Sequence, residues 1–357
     1  MKPYGSLGFG MPRMVRAIAG AFPCDDRGCA VGVSKENVRH PYAWALVYGV
    51  LLAGYVGFTL LDAFVLPRDV VYVGDMAGSD AAQGAAGDGA TGGADGDSAD
   101  GEGAGLLNPG LTEPVVTDTS YRSAGITIEI NTIREYDTDI YVADVMLSSV
   151  SSLRAGLASG MFGRNVSQTT SAIAQENGAI LAVNGDYYGF RDRGFVMRNG
   201  YLYRDTARTS GITDALVIGR DGIFSIVDEM LSDAQELANT ALHIFSFGPG
   251  LIEDGVITVD EASEVEQSMR SNPRTAIGEI SPLHYIILVS DGRTDKSSGL
   301  TLLQTAGVMK ELGCRTAYNL DGGGSSTMWF MGRVVNNPTS GIRSGERSVS
   351  DIIYIGE

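Results

Sequence analysis

The residues best suited to chemistry sit together in Tyr318-Asn319-Leu320-Asp321-Gly322-Gly323-Gly324-Ser325-Ser326-Thr327-Met328. A strand-like run stops at a carboxylate, three glycines follow, and then three hydroxyls. Consecutive glycines are ill suited to the interior of a helix or strand, because each loses much backbone entropy on folding. They suit a loop whose backbone approaches a ligand. The amides of Gly322, Gly323 and Gly324, with the hydroxyls of Ser325 and Ser326, can form a concave anion site, and Asp321 at its mouth supplies a negative charge or a general base. The pattern points to a phosphate-bearing substrate whose chemistry involves a carboxylate. It is not a nucleotide P-loop, which needs Lys before the Ser/Thr: Gly324 precedes Ser325, and the nearest upstream Lys is Lys310. An exposed glycine turn fits the same residues equally well when they are read alone.

The same form recurs. A run at 179–183 leads into Asn184-Gly185-Asp186-Tyr187-Tyr188, a run at 283–290 into Asp291-Gly292-Arg293, and a run at 316–320 into Asp321 and its glycines. Each places an acid beside a glycine where an apolar strand emerges. One Asp-Gly is an ordinary turn; three in one domain suggest a shared site. Arg274 follows Pro273 and opens an apolar run, so its backbone is expected to be rigid, and Arg is the side chain suited to bidentate phosphate contact. Arg293 is a second clamp candidate. For either residue alone a surface salt bridge is the bland alternative. His40, His243 and His284 do not make a triad or a zinc set; the latter two sit in apolar strands as core residues. No metal or cofactor is expected, although the Asp loops leave an oxygen-ligated calcium or magnesium open.

The elements that must position these residues occupy the second two thirds of the chain. Alternating or β-branched runs predict strands at 125–131 and 139–147, and apolar runs predict further strands at 179–183, 282–290 and 351–355. Hairpins are expected across Asn199-Gly200 and Asp221-Gly222. Helices are expected at 169–177, and at 300–312 with Ser298 as its cap. Strands outnumber helices in irregular order, which predicts an α+β fold of mixed β-sheets with a few packed helices.

Upstream, Ala43 to Leu61 is free of charge over 19 residues, long enough to span a bilayer at ~1.5 Å per residue. A buried core helix is the alternative. Basic residues crowd the preceding flank (Lys2, Arg13, Arg16, Arg27, Lys35, Arg39), which predicts a cytosolic N-terminus and an outer domain. Residues 74–113 carry eight Asp/Glu and no Lys or Arg, a composition that cannot bury enough surface to offset chain entropy. The expected organisation is a cytosolic tail at 1–42, a transmembrane signal anchor at 43–66, a flexible, disordered acidic linker at 67–114, and the folded domain at 115–357. The formal net charge of −17 argues against a nucleic-acid partner. Cys24 and Cys29 fall in the reduced compartment and Cys314 stands alone in the outer domain, which fits a bacterial plasma-membrane protein with an envelope domain.

Taken in order, Asn184-Gly185-Asp186-Tyr187-Tyr188, Asn272-Pro273-Arg274-Thr275-Ala276-Ile277-Gly278, Asp291-Gly292-Arg293, Asn319-Leu320-Asp321-Gly322-Gly323-Gly324-Ser325-Ser326 and the tail Val335-Asn336-Asn337-Pro338 with Gly345-Glu346-Arg347 resemble the phosphodiester glycosidase family. The resemblance covers about residues 120–357; Ser348 departs from the Pro usual after Glu-Arg. It implies cleavage of the sugar C1–O bond in a glycosyl-1-phosphodiester of envelope glycans or exopolysaccharide. Its implied catalytic set is Asp321, Asp186, Asp291 and Arg274. The substrate-binding set is Asn184, Tyr187, Arg293, Asn319, Gly322, Gly323, Gly324, Ser325, Ser326 and Glu346. Two other readings stay open: a non-catalytic sugar-phosphate-binding module, and a metal-dependent phosphodiesterase that breaks the P–O bond.

Overall fold

The computed structural model describes residues 43–72, 107–263, 271–340 and 343–357. The tail at 1–42, with Cys24, Cys29 and His40, and most of the acidic linker lie outside the described residues. The chain divides into two units, Met1–Tyr55 and Val56–Glu357. Helix Ala43–Phe64 runs through that boundary. Leu46, Leu51 and Phe58 are exposed along it. Its window Ala45–Asp62 buries none of its residues, and among the described residues this is the one helix long and apolar enough to cross a membrane.

The second unit is α+β and mostly β. Its largest sheet has nine strands. Across its middle lie, in order, Gly250–Glu253, Thr316–Asn319, Thr275–Ser281, His284–Ser290, Thr138–Leu147 and Ile126–Glu135. A five-stranded sheet orders Arg333–Val334, Met328–Phe330, Leu181–Asn184, Asp351–Ile355 and Leu153–Leu157; another orders Tyr201–Arg204, Val196–Arg198, Ala241–Phe245, Asp214–Gly219 and Phe224–Asp228. The ladders between these strands are antiparallel, so the mixing expected from the sequence lies in strand order, which is not consecutive, and not in strand direction.

Alternation along His284–Ser290 shows how the layers form. Ile286 and Leu288 face one side and join helix Leu302–Glu311 through Leu302, Ala306 and Met309. Tyr285, Ile287 and Val289 face the other and meet Leu181, Val183 and Ile353 from one five-stranded sheet and Leu216, Ile218 and Phe245 from the other. Successive side chains point to opposite faces, so one strand serves two cores, and each fully buried Leu or Ile contributes about 1.5–3 kcal/mol. Helix Thr170–Glu176 packs Ile173 and Ala174 on the outer face of the sheet holding Ala182 and Ile352.

Three expectations need correction. The helix expected at 300–312 spans Leu302–Glu311, and its cap is Thr301, not Ser298: Thr301 Oγ1 accepts from the Gln304 amide while Gln304 returns a bond to the Thr301 amide, a reciprocal capping box. His284 is not a core residue, for it sits 2.8 Å from Asp144 at the surface. His243 is buried, accepts from the Asn199 amide and bonds the Leu153 carbonyl, and burial lowers its pKa to about 3. Finally, the start of the expected linker is structured: Arg68–Tyr72 pairs with Met161–Arg164, because Val70, Val71 and Tyr72 are β-formers that precede the Gly/Ala/Asp run.

Candidate active site

Antiparallel pairing explains why distant motifs meet. Strand Thr275–Ser281 runs opposite to both neighbours, with Thr275 beside Val289 and Ala276 beside Asn319. Its beginning therefore adjoins the ends of the other two. Residues 272–274, 291–293 and 319–323 emerge at one edge of the large sheet. Strand Leu181–Asn184 joins from another sheet through Asn184. Asn184 Nδ2 donates to the Asp321 carbonyl at 2.6 Å, and Asn184 Oδ1 accepts from Thr275 Oγ1 at 2.8 Å and from the Thr327 amide at 3.2 Å.

A cavity of about 590 Å³ opens at this edge. Its described lining includes the six arginines Arg191, Arg193, Arg208, Arg274, Arg293 and Arg347, but only two acids, Asp192 and Asp321. Gly322, Gly323 and Asn319 line it at the strand exits, and Phe247, Gly248 and Pro249 line it beside Asn319, which bonds the Gly248 and Pro249 carbonyls. Tyr318 ties these segments to strand Asp214–Gly219: its hydroxyl donates to the Asp214 carbonyl at 2.6 Å and accepts from the Phe247 amide at 2.8 Å.

Arg274 is held as the Pro-Arg sequence suggests. Its amide donates to Ser290 Oγ and its Nε to the Leu300 carbonyl, both at 2.9 Å. Arg293 has a left-handed φ of 60° and grips Asn272 Oδ1 with Nε at 3.1 Å and Nη2 at 2.8 Å. Gly323, at φ 63°, is where the glycine run is needed: a Cβ there would stand 3.0 Å from Arg293 Nη2. Its amide is committed to the Pro273 carbonyl at 2.8 Å, and the Ser325 and Ser326 amides return into the turn. That leaves the Gly322 amide, on the cavity wall, without a bond among the described residues.

Asp321 is the buried acid on that wall. Its Oδ2 accepts from Ser325 Oγ at 2.6 Å and Arg347 Nη2 at 2.7 Å, while Oδ1 has no hydrogen bond among the described residues. Burial raises its pKa, and Arg347, Ser325 and Arg191 pull it down without cancelling that rise. Asn319 donates to the Gly248 carbonyl at 2.8 Å and leaves its buried Oδ1 without a partner among the described residues, an acceptor at the cavity wall.

The remaining expected site residues lie outside the lining. Asp186 is sealed beneath, accepting from Arg198 at 2.8 Å, the Ser246 amide at 2.9 Å and the Tyr188 amide at 2.9 Å. Burial would raise its pKa, but Arg198 and these amides hold it below the ordinary value. Asp291 accepts from the Asn337 amide and side chain, each at 2.8 Å, and so holds the 336–337 turn. Tyr187 stacks on Phe190 with ring centroids 4.8 Å apart. Ser325 stands behind Asp321, while Gly324 packs on Ser340 and Ser326 is buried. Glu346 binds the Ser171 amide at 2.9 Å and its hydroxyl at 2.5 Å, at the start of helix Thr170–Glu176. There its charge meets the positive helix end and anchors the segment that carries Arg347. No group of three or more His, Cys, Asp or Glu among the described residues is placed to hold a metal.

Sequence reasoning missed Arg191, Arg193, Arg208 and Arg347 as lining residues. Arg347 had a signal, since it belongs to the Glu-Arg tail motif. Arg208 had none: its partner, Glu229, contacts it at 3.1 Å from 21 residues away.

Residues 177–356 match the family model described as phosphodiester glycosidase. The chain is 32% identical over 204 residues to the SPbeta prophage-derived uncharacterized protein YomE of Bacillus subtilis (strain 168), covering 55% of this chain and 31% of that protein. It is 26% identical over 211 residues to N-acetylglucosamine-1-phosphodiester alpha-N-acetylglucosaminidase of Bos taurus, covering 53% and 39% respectively. The chain thus spans only a minor part of these relatives. Among solved structures it is similar in fold to the catalytic domain of the zebrafish N-acetylglucosamine-1-phosphodiester alpha-N-acetylglucosaminidase, auto-inhibited by its pro-peptide, with a TM-score of 0.53 at 20% identity over 69% of this chain and 88% of that one. A hypothetical protein from Synechocystis has a TM-score of 0.52 at 15% identity, over 65% and 62%. With its strand exits gathered around one arginine-lined cavity and half of its length matched to the family model, the chain belongs to the phosphodiester glycosidase family.

Proposed function

We propose that the protein is a membrane-anchored extracytoplasmic hydrolase that cleaves the sugar C1–O bond of glycosyl-1-phosphodiesters in envelope or exopolysaccharide glycans. The observation that carries this reading is the cavity lining. A chain of net charge −17 gathers six arginines around one hollow, an arrangement that favours an anionic ligand. Helix Ala43–Phe64, exposed and apolar, supports the anchor, and the basic flank before it supports a cytosolic N-terminus.

A phosphomonoester is a weak base, so its departure from C1 needs charge stabilisation more than a proton. Arg274, Arg293 and the Gly322 amide supply it. Positive charge developing at C1 needs one carboxylate, as nucleophile or as base for water, and Asp321 is the buried acid that reaches the cavity. Asn319 Oδ1 accepts from a sugar hydroxyl. Asp186, Asp291, Asn184, Ser325 and Glu346 position this wall. Water adds its hydroxyl to C1 and releases its proton to solvent, the C1–O bond breaks, and the phosphomonoester leaves with the bonding pair. Arginine charge carries the reaction without a metal ion.

The test is turnover of a panel of sugar-1-phosphodiesters by the full chain in detergent, with and without chelator, beside Asp321→Asn. The expected products are free sugar and phosphomonoester, chelator has no effect, and the variant loses at least about 10²-fold in kcat. Sugar phosphate plus alcohol would establish P–O cleavage instead. Tight binding of sugar phosphate with no turnover across the panel would make the protein a binding module.

A further inference from the structure

Cleavage at C1 draws on Arg274, Arg293, the Gly322 amide, Asp321 and Asn319. The cavity also carries guanidinium groups that cleavage does not use, contributed by loops of the sheet that holds Val196–Arg198 and Asp214–Gly219. Arg208 is consumed there: it pairs with Glu229 and donates to the Phe247 carbonyl at 2.9 Å and the Asp214 carbonyl at 2.6 Å. Arg191 and Arg193 are different. Each donates to a single carbonyl, Ser246 and Ala207 respectively, at 3.3 Å, and neither pairs with a carboxylate among the described residues. Asp192 lies between them in the chain and is exposed.

Arg191 is also held in place. Its guanidinium carbon stands 5.5 Å from the Tyr187 ring centroid and 5.2 Å from that of Phe247. Packing between two rings orients the planar cation without using its N–H donors. An oriented guanidinium with open donors is a receiver for phosphate or carboxylate. The field of Arg191 also reaches Asp321, whose pKa it lowers, so it lies within range of the reacting groups. The space fits too: about 590 Å³ is well above the roughly 300 Å³ at which small-molecule pockets begin.

We infer that Arg191 and Arg193 form a second anion subsite, taking a negatively charged group of the aglycone beyond the scissile phosphodiester. The substrate class is then a polyanionic sugar-phosphate chain and not an isolated phosphodiester with a neutral aglycone. This rests on the hydrolase reading above. The shared chemistry is a fixed anion, either a further phosphate along the chain or the carboxylate of an acidic sugar.

Three substrates that share the scissile unit test it on the full chain in detergent. Their aglycones end in a neutral propanediol, a propanediol phosphate, or a chain of the same length ending in carboxylate. Wild type is expected to favour the phosphate-ended substrate over the neutral one by about 10–100-fold in kcat/KM, the range for hydrogen bonds to charged groups. In the double variant Arg191→Gln, Arg193→Gln that ratio falls close to one. Damage to the fold would lower all three rates together and leave the ratio intact. A larger ratio for carboxylate than for phosphate identifies an acidic sugar as the source. Equal wild-type rates on neutral and charged aglycones overturn the subsite while leaving the hydrolase standing. If none is cleaved, the hydrolase reading fails, and calorimetry still decides the subsite. Wild type should bind propanediol bisphosphate at least about tenfold more tightly than propyl phosphate, with the advantage lost in the double variant. Equal binding by wild type overturns it.

Discussion

At Asp321, opposing influences set one protonation equilibrium. Burial favours the neutral acid, while Arg347 and Ser325 on Oδ2, with the field of Arg191, favour the carboxylate; the balance leaves the pKa above its ordinary value. In the reaction proposed above the phosphomonoester leaves without an acid, so the form of Asp321 that the proposal requires is the carboxylate. The acid limb of kcat/KM should therefore lie above the usual carboxylate range, with activity rising as pH rises through it. Removing the Arg347 cation takes away an influence that lowers this pKa, so Arg347→Gln should move the limb to higher pH and reduce kcat/KM by about 10–100-fold near neutrality. A pH–rate profile of both proteins reads the shift. A limb at the same pH in both would remove Arg347 from this role. Asp321 stood out in the sequence because the acid-beside-glycine form recurs at three strand exits, although read alone the same residues fit an exposed turn. Arg347 was harder to read, since its partner lies 26 residues upstream and only folding brings them together.

The element that carries the site is the set of strand ends, and what holds them is backbone as much as side chain. Gly322 illustrates this. Its φ of −115° suits any residue, yet a Cβ there would come within 2.9 Å of the Pro273 carbonyl, the same oxygen that accepts the Gly323 amide. Gly322→Ala should push the turn off the Asn272–Arg274 segment and misplace Asp321 relative to Arg274. A displacement of about 1 Å costs up to 10²-fold in rate, whereas the strain costs the fold only about 1–3 kcal/mol. Measured together, kcat/KM should drop steeply and the Tm modestly; an unchanged kcat/KM would show that the turn does not set the geometry. Sequence patterns reached the elements unevenly. Asp351–Ile355 and the Asn199-Gly200 hairpin were readable because their punctuation is local: Asn199 and Gly200 take φ of 52° and 86°, as a type I′ turn requires. Leu153–Leu157 and Met161–Arg164 were missed because a Gly/Ser-rich stretch reads as loop and only pairing with Asp351–Ile355 and Arg68–Tyr72 makes strands of them. The capping box is written in Thr301-Leu302-Leu303-Gln304 itself, but Ser298 and the apolar Leu300 before it offer an equally plausible start when only residue types are read.

On the scale of the whole molecule, one buried guanidinium fastens two sheets together. Arg198, fully buried, stands 2.8 Å from Asp186 and 2.7 Å from Asp351, with Phe245 beneath it at 3.9 Å from the ring centroid. One cation faces two sealed carboxylates, and their surroundings treat the two acids differently. Asp186 keeps its charge through Arg198 and two amides. Asp351 is pushed up to about 7 by burial and by the charge of Asp186, against the pull of Arg198, and its Oδ1 has no partner among the described residues. None of this was readable from the sequence, where Arg198 precedes an Asn-Gly turn and looks like surface. The two acids act on stability in opposite senses. Asp186, with its pKa lowered on folding, contributes stability above the ordinary value of 3.8 that is lost as pH falls below it. Asp351, with its pKa raised, holds its proton in the folded state longer than in the unfolded chain. Its contribution is full below the ordinary value of 3.8 and is lost as pH rises through about 7. The cluster is therefore most favourable at mildly acidic pH. Asp351→Asn leaves Arg198 and Asp186 as a one-to-one pair of nearly the same shape and removes the titration. Between pH 5 and pH 8 the Tm of wild type should fall relative to that of the variant, by an amount equivalent to about 1–4 kcal/mol, since each tenfold change in an ionisation constant on folding is worth ~1.4 kcal/mol. Arg198→Met, which strands both acids, should cost about 3–5 kcal/mol and most at high pH. Thermal melts of the three proteins across this range decide the matter, since other titrating groups affect all of them alike. Parallel curves for wild type and Asp351→Asn would mean that Asp351 ionises as freely inside the fold as outside it, and its raised pKa would have to be abandoned.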